Sequence, residues 1–512
     1  MLNGIQFTLG NNNLGTPIPG SDYISGYLIY SASAPSGMVL STPQPVFSLS
    51  QAVALGITNT YSDETPAQAT FSFSHLPIAG DVISVVINEP TINSGPANPV
   101  TLATYTVLSS DTTTTILATS IKTAINANTY STNYSATSST NSVTITARPG
   151  LGIAINTVMT AVTNSNASSP SEITNGAFSG GVASKLINYY YQISEYFRMQ
   201  PNGKLWIGFY AIPSNWTFTE LNLMQTYANG EIRQFMVYST HGTSSSNIIA
   251  DLSAIQAVGV TMFNLYTPAS VIYAPNIIGI SNLATLPNLR ALNNNYVSCL
   301  IGQDGGAQGA WLSLISGSSV PAMGACLGTV SLSAVEEDIA WVGKFDISNG
   351  TEDETIAFSN GQLSTSVVYN EQVSLDSYGY IFLINKIGIT GSYWNDSHCA
   401  CLITSDYSYI ERNRTIGKAQ RVIYQSLTPL ENSPLVLNSD GTMISSTINI
   451  FKDAISPSLN QMVANGEISA YSTYINPTQN VQSTSSVAIA VSIVMVGVAR
   501  NISVTLGFQV SI

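Results

Sequence analysis

The residues able to do chemistry in this chain are few and scattered. Three histidines, His75, His241 and His398, serve 512 residues. None belongs to an H-E-x-x-H pattern, and no G-x-S-x-G is present to seat a nucleophile. Four cysteines, Cys299, Cys326, Cys399 and Cys401, are too few for a disulfide framework, and the last two are too close in sequence to bridge easily. The stretch "SHCACL" puts His398 beside Cys399 and Cys401, but a zinc site needs a fourth ligand and usually C-x-x-C spacing. Buried reduced thiols are the expectation, with no metal and no cofactor. "GQDGGAQG" (302–309) is glycine-rich after a strand yet lacks G-x-G-x-x-G spacing, so it reads as a loop around Asp304. "RTIGKAQ" has Gly-Lys without the upstream glycine or the following Ser/Thr of a phosphate loop. Glu336, Glu337 and Asp338 read as a solvated helix face.

One charged feature stands out. Arg412, Arg414, Lys418 and Arg421 are four of only fifteen Lys and Arg. On a helix expected over 405–427, capped by Ser405 or Asp406, Arg414, Lys418 and Arg421 fall at i, i+4 and i+7, one face. An acidic partner for that face is the expectation. Charged residues make up 8% of the chain against about 25% in ordinary domains, and the net charge is −13. Ser, Thr and Asn carry the polarity instead. Such a weakly hydrated surface suits an assembly subunit, and the acidic balance argues against nucleic acid.

Both ends are rich in β-formers. No signal peptide is visible in "MLNGIQFTLGNNNLG". Val487–Ala499 has no charge but is shorter than the roughly 20 apolar residues a membrane helix needs. Its alternation of Val487, Ile489, Val491 and Ile493 with small residues has period two, so a strand is predicted and membrane insertion is not. Two readings of the C-terminus stay open: a hairpin within the subunit, or a strand that pairs with another copy.

The elements between are legible from pattern. Strands are predicted over 26–35, 79–90, 134–150, 296–303 and 378–388, the last turning at Gly388. Helices are predicted over 48–56, 115–128, 220–227 and within 186–200, 247–260 and 319–348, where a second helical piece ends near Trp341. A further helix over 448–468 is expected to be interrupted at Pro457. Residues 61–181, dominated by Thr, Ser, Asn and Val, read as an α+β module inserted into a chain of different texture. The βα alternation after it predicts a mixed sheet flanked by helices.

The order of segments resembles the bacteriophage contractile tail sheath family. The resemblance is carried by "YYYQISEYFRMQPNGKLWIG", by "VSCLIGQDGG" leading to "SVPAMGACLGTVSLSAVEEDIAWVGKFDIS", and above all by "RNRTIGKAQRVIYQSLTPL", "DGTM", "MVANGEISAYSTYINPTQNVQST" and "VGVARNISVTLGFQV". It spans about 390 of the 512 residues; the 61–181 module is the most divergent part. The resemblance implies an α+β, mixed α/β multidomain fold: an N-terminal arm and linker (1–20), a middle domain (21–60 and 182–390), an outer α+β module (61–181) and an inner, tube-facing domain (391–512).

It also implies a structural subunit, not an enzyme. Such subunits form hexameric rings stacked into a helical tube around a tail tube protein, with baseplate and tail terminator proteins at its ends, in a virion tail assembled in the host cytoplasm. Neighbours are held by strand exchange. The expected exchanged strands contain Ile5, Phe7 and Leu9, and Ile502, Val504, Leu506, Phe508 and Val510. Arg414, Lys418 and Arg421 would face the tube. The sheath of a phage-derived contractile injection system is an alternative, as is, from another class, a surface-layer protein or adhesin.

Overall fold

The computed structural model describes residues 21–92, 98–166 and 173–508. The chain is a mixed α/β protein with several sheets. Its centre is a seven-stranded sheet in the order Tyr380–Ile381, Val297–Leu300, Ser270–Pro275, Gln234–Ser239, Ile24–Tyr30, Lys204–Tyr210, Gln44–Val46. Every adjacent pair is parallel except the last, Lys204–Tyr210 with Gln44–Val46. The strands are near-continuous apolar runs because both faces are covered.

Alternation along the first strand sorts the two cores. Tyr27 and Ile29 pack with Ile193, Tyr196 and the helix Met323–Leu332, while Ile24 and Leu28 pack with Leu221, Met224 and the helix Ser245–Asn264. That last helix is long and apolar enough to cross a bilayer by length and composition. Here its Ile248, Leu252, Ile255 and Met262 are fully buried against the sheet.

Residues 67–178 build a core of their own. A four-stranded and a three-stranded sheet sandwich Phe71, Phe73, Ile83, Val85 and Ile87 with Leu117, Ile121 and Ile125 of the helix Thr114–Ala127. Thr65 and Val182 form an antiparallel bridge, so the chain enters and leaves this unit at one place. The expected strand over 134–150 is a hairpin, Ser135–Ser139 with Ser142–Thr146.

Three local expectations are corrected. The C-terminal helix begins at Ile410, not at 405, and carries no side-chain cap. Ser405 Oγ instead accepts from the Tyr407 amide, and Ser397–Cys399 hydrogen-bond to 408–410 as an extended pair, which holds those residues out of a helix. The helix Ser445–Ala464 is continuous through Pro457. Pro457 faces solvent while Phe451, Ile455, Leu459 and Met462 keep an unbroken buried stripe. Residues 334–341 are turns, not a second helical piece.

The helix Met323–Leu332 approaches Leu186–Met199 so closely that glycine is needed: a Cβ on Gly324 would lie 1.9 Å from the Gln192 carbonyl oxygen. Gly324→Ala gains about 1 kcal/mol of helix propensity, yet overpacking of this kind costs about 1–3 kcal/mol. With a backbone atom as obstacle, a net loss of about 1–2 kcal/mol is expected in urea unfolding; a stabilised variant would show that the two helices can move apart.

Candidate functional site

The groups that invite a catalytic reading are tied down as structure. His398 Nδ1 lies 2.6 Å from Arg290 Nη2, and Nε2 lies 3.1 Å from Asp376 Oδ1. Arg290 also donates to the Cys399 and Cys401 carbonyls. All four cysteines are buried, and burial pushes the Cys299, Cys326 and Cys399 thiols up, away from the reactive thiolate. Asp304 Oδ2 accepts from the Ala307 and Ala310 amides at the start of the helix Gln308–Ser316, so the glycine-rich loop is a helix entry. His241 Nδ1 sits 2.7 Å from Asp251 Oδ1, but the Ser239 hydroxyl donates to Asp251 and not to the imidazole, so this imidazole does not activate Ser239 as a nucleophile. Among the described residues no group of three His, Cys, Asp or Glu is placed to hold a metal ion.

The distinctive geometry lies around the helix Ile410–Leu427. Its C-terminal half, through Ala419, Val422 and Ile423, packs on Ile455, Leu459 and Met462 of the neighbouring helix. Both helices support a hairpin of Ile468–Ile475 and Ile489–Met495. Tyr471, Ile489, Val491 and Ile493 point inward, whereas Ala470, Ser472, Tyr474, Ala490, Ser492 and Val494 are exposed. Among the described residues this sheet has two strands, so each carries an outer edge without a partner strand.

Beyond the hairpin the chain leaves its own body. Residues 501–508 have no regular secondary structure and are all exposed. Ile502, Val504, Leu506 and Phe508 present 81, 72, 90 and 108% of their surface. Large apolar side chains at every second residue are the pattern of a strand with one face to bury. Ile5, Phe7, Leu9 and Val510 lie outside the described residues.

Arg500 fixes the point of departure. Its guanidinium is 2.6 Å from Glu411, 2.8 Å from Asp338 and 3.0 Å from Asp396, and lies over the Tyr409 ring at 3.5 Å. One cation cannot neutralise three carboxylates. Burial, then the Glu411 and Asp396 charges, push the Asp338 carboxyl up to about 7 against the pull of Arg500. The expected solvated face at Glu336, Glu337 and Asp338 is therefore corrected: Asp338 is buried and Glu337 pairs with Lys344.

The expected open basic face is corrected as well. Arg414 is 6% exposed and donates to Ser333 Oγ and to the Ser333 and Ala334 carbonyls. Lys418 contacts Asp22 at 2.7 Å and Glu467 at 2.6 Å, and Arg421 contacts Asp22 at 2.5 Å. The three cations do share a face, as their spacing requires, but that face is turned into the subunit and closed by Asp22. Burial would raise the Asp22 carboxyl; the Arg421 and Lys418 charges outweigh it and hold the group below its ordinary value. Asp22 and Arg500, which residue-by-residue reading did not single out as anchors, are thus both held by this one helix. Their only sequence signal is position: each stands beside a terminal β-rich segment in a chain with few charges.

Residues 406–512 match the family model described as "DUF2586, C-terminal domain". No curated protein matches the chain at the sequence level. Among solved structures, the chain is similar to one in the cryo-EM structure of the anti-feeding prophage (AFP) baseplate, at 15% identity over 62% of this chain and 80% of that one, with a TM-score of 0.42. It is similar to one in the PVC sheath complex of an extracellular contractile injection system in the contracted state, at 13% identity over 63% and 81%, with a TM-score of 0.41. It is also similar to the sheath tail protein Lin1278 from Listeria innocua, at 9% identity over 92% and 94%, with a TM-score of 0.37. All three likenesses are at low identity.

A buried carboxyl raised in the native state binds its proton more tightly folded than unfolded. Its stabilising contribution is complete below the ordinary Asp value and is lost as pH rises through about 7. The wild-type protein is expected to lose about 1 kcal/mol of stability between pH 6 and 8 through this group, and Asp338→Asn should remove that slope in melting curves. An unchanged slope would place the proton elsewhere.

Proposed function

We propose that this protein is a structural subunit of a contractile tail or injection-system sheath, and not an enzyme. Subunits polymerise as six-fold rings around a tube and contract to drive it through an envelope. The observation that carries the reading is the pairing of a donor with an acceptor in one chain. An exposed segment of alternating apolar residues, Ile502 to Phe508, follows a two-stranded hairpin whose outer edges have no partner strand among the described residues. Exposed edges and an exposed apolar segment in one chain are an aggregation hazard unless each serves as the other's partner. Added strands supply main-chain hydrogen bonds and side-chain pockets together.

The occupant of the hairpin edges is then the terminal segment of a second copy, with Ile5, Phe7 and Leu9 at the other end of the chain, and Val510 beyond Phe508, playing the same part. Residues 391–512 form the inner domain, 21–60 with 182–390 the middle one, and 61–181 an outer module joined at the Thr65–Val182 bridge. The ordered segments quoted from the sequence favour the phage tail sheath, and with it a location in the virion; a phage-derived injection system uses the same parts. A tube contact has to come from other residues than Arg414, Lys418 and Arg421, whose charges are already met within the subunit.

Deleting 501–512 should leave a folded monomer, since the removed residues from 501 to 508 are all exposed. Its circular dichroism and melting temperature should match those of the full chain, while electron microscopy should find no tubes where the full chain forms them. Tubes of unchanged width from the truncated chain would sink the strand-exchange reading.

A further inference from the structure

We propose that the helix Ile410–Leu427 is the mechanical link through which the pull of one neighbour passes to another, with Arg500 and Asp22 as the positioning residues that fix where each terminal segment joins the body. The inference rests on the strand-exchange reading and adds to it a path inside the subunit.

Three sites lie on this one helix. Ala419, Val422 and Ile423 carry the hairpin that would receive a neighbour's segment. Glu411 holds Arg500, the residue from which the C-terminal segment departs. Lys418 and Arg421 hold Asp22, which follows the N-terminal segment. At 1.5 Å per residue, Glu411 and Arg421 are roughly 15 Å apart along the axis. A rigid spacer this short gives acceptor and donors a fixed relation. A flexible joint at either root would let the exchanged strands shift while the rings rotate.

The helix is itself held to the body. Arg414 donates to the Ser333 and Ala334 carbonyls, and Gln420 donates to the carbonyl of Phe263. The clamps are ionic, which suits the task. An apolar contact is non-directional, whereas a guanidinium among three carboxylates fixes both position and orientation. Because both clamps are largely buried, salt screens them weakly. A segment already aimed at its acceptor loses less freedom on docking, and so binds more tightly, than one on a free swivel.

The test uses the full-length chain with a nitroxide on Ser503→Cys; the four native cysteines are buried and do not compete for the label. In the unassembled subunit, Arg500→Gln should sharpen the nitroxide spectrum, reporting a freer segment, and Arg500→Lys should restore part of the order. In assembly, Arg500→Gln and, at the other root, Asp22→Asn should each raise the critical concentration for tube formation about tenfold, the cost of lost pre-organisation. Asp22→Asn keeps the test valid should Arg500→Gln fold poorly. Unchanged spectra and unchanged critical concentrations in variants that melt like the parent would overturn the proposal. Should the full chain form no tubes, the sheath reading fails, and the spectra of the single subunit still decide whether Arg500 holds the segment.

Discussion

A single guanidinium set among Asp338, Asp396 and Glu411 ties the chain to its body just ahead of the exposed C-terminal segment. The strand Ile489–Met495 is paired and half-buried, residues 497–499 are exposed, Arg500 returns to the body, and residues 501–508 are all exposed. The clamp draws on three separate parts of the chain: the turns after Met323–Leu332, the loop before the helix, and the helix itself. Arg500 can make all three contacts only when all three parts are folded. Asp22, near the start of the described residues, is held between Lys418 and Arg421. Buried ion pairs are weak evidence for stability because desolvation offsets much of their attraction. Their contribution here is geometric, and breaking one partner leaves the other charge buried and unmet.

The rest of the molecule fits a scaffold. A doubly covered parallel sheet of this order can host many chemistries, so function has to be argued from sites. At the sites where chemistry could occur, the groups face one another: Asp251 holds both His241 and Ser239, Arg290 holds His398 and the Cys399 and Cys401 carbonyls, and Asp304 caps a helix. Polar residues are consumed in joining segments distant in sequence. In a chain with so few charges, that leaves a surface of Ser, Thr and Asn with little electrostatic cost for close contact between copies.

Much of this fold is legible from periodicity. The helix over Glu220–Tyr227 and the module helix Thr114–Ala127 follow from local pattern because each buries one stripe. The same alternation that rules out a membrane helix at Val487–Ala499 appears as the strand Ile489–Met495. Local reading fails where distant residues decide. Ser405 looks like a helix cap, but pairing of 397–399 with 408–410 delays the helix to Ile410. Pro457 looks like a break, but it lies on the exposed side of a stripe whose burial outweighs one lost hydrogen bond. Arg414, Lys418 and Arg421 do form one face; nothing in their spacing says that Asp22, some 400 residues away in the chain, closes it.

The central claim is that the segment after Arg500 pairs with the hairpin of another copy. The most direct measurement is disulfide trapping between two singly substituted proteins, Thr505→Cys in one and Ser472→Cys or Ser492→Cys in the other, mixed under assembly conditions and oxidised. Neighbouring strands bring Cβ atoms to about 4.5–5.5 Å, within reach of a disulfide. Covalent dimers of one Thr505→Cys chain with one Ser472→Cys or Ser492→Cys chain are expected from the mixture. Their absence, together with ready closure within a single chain carrying both substitutions, would mean that the segment folds back on its own hairpin and would contradict the account.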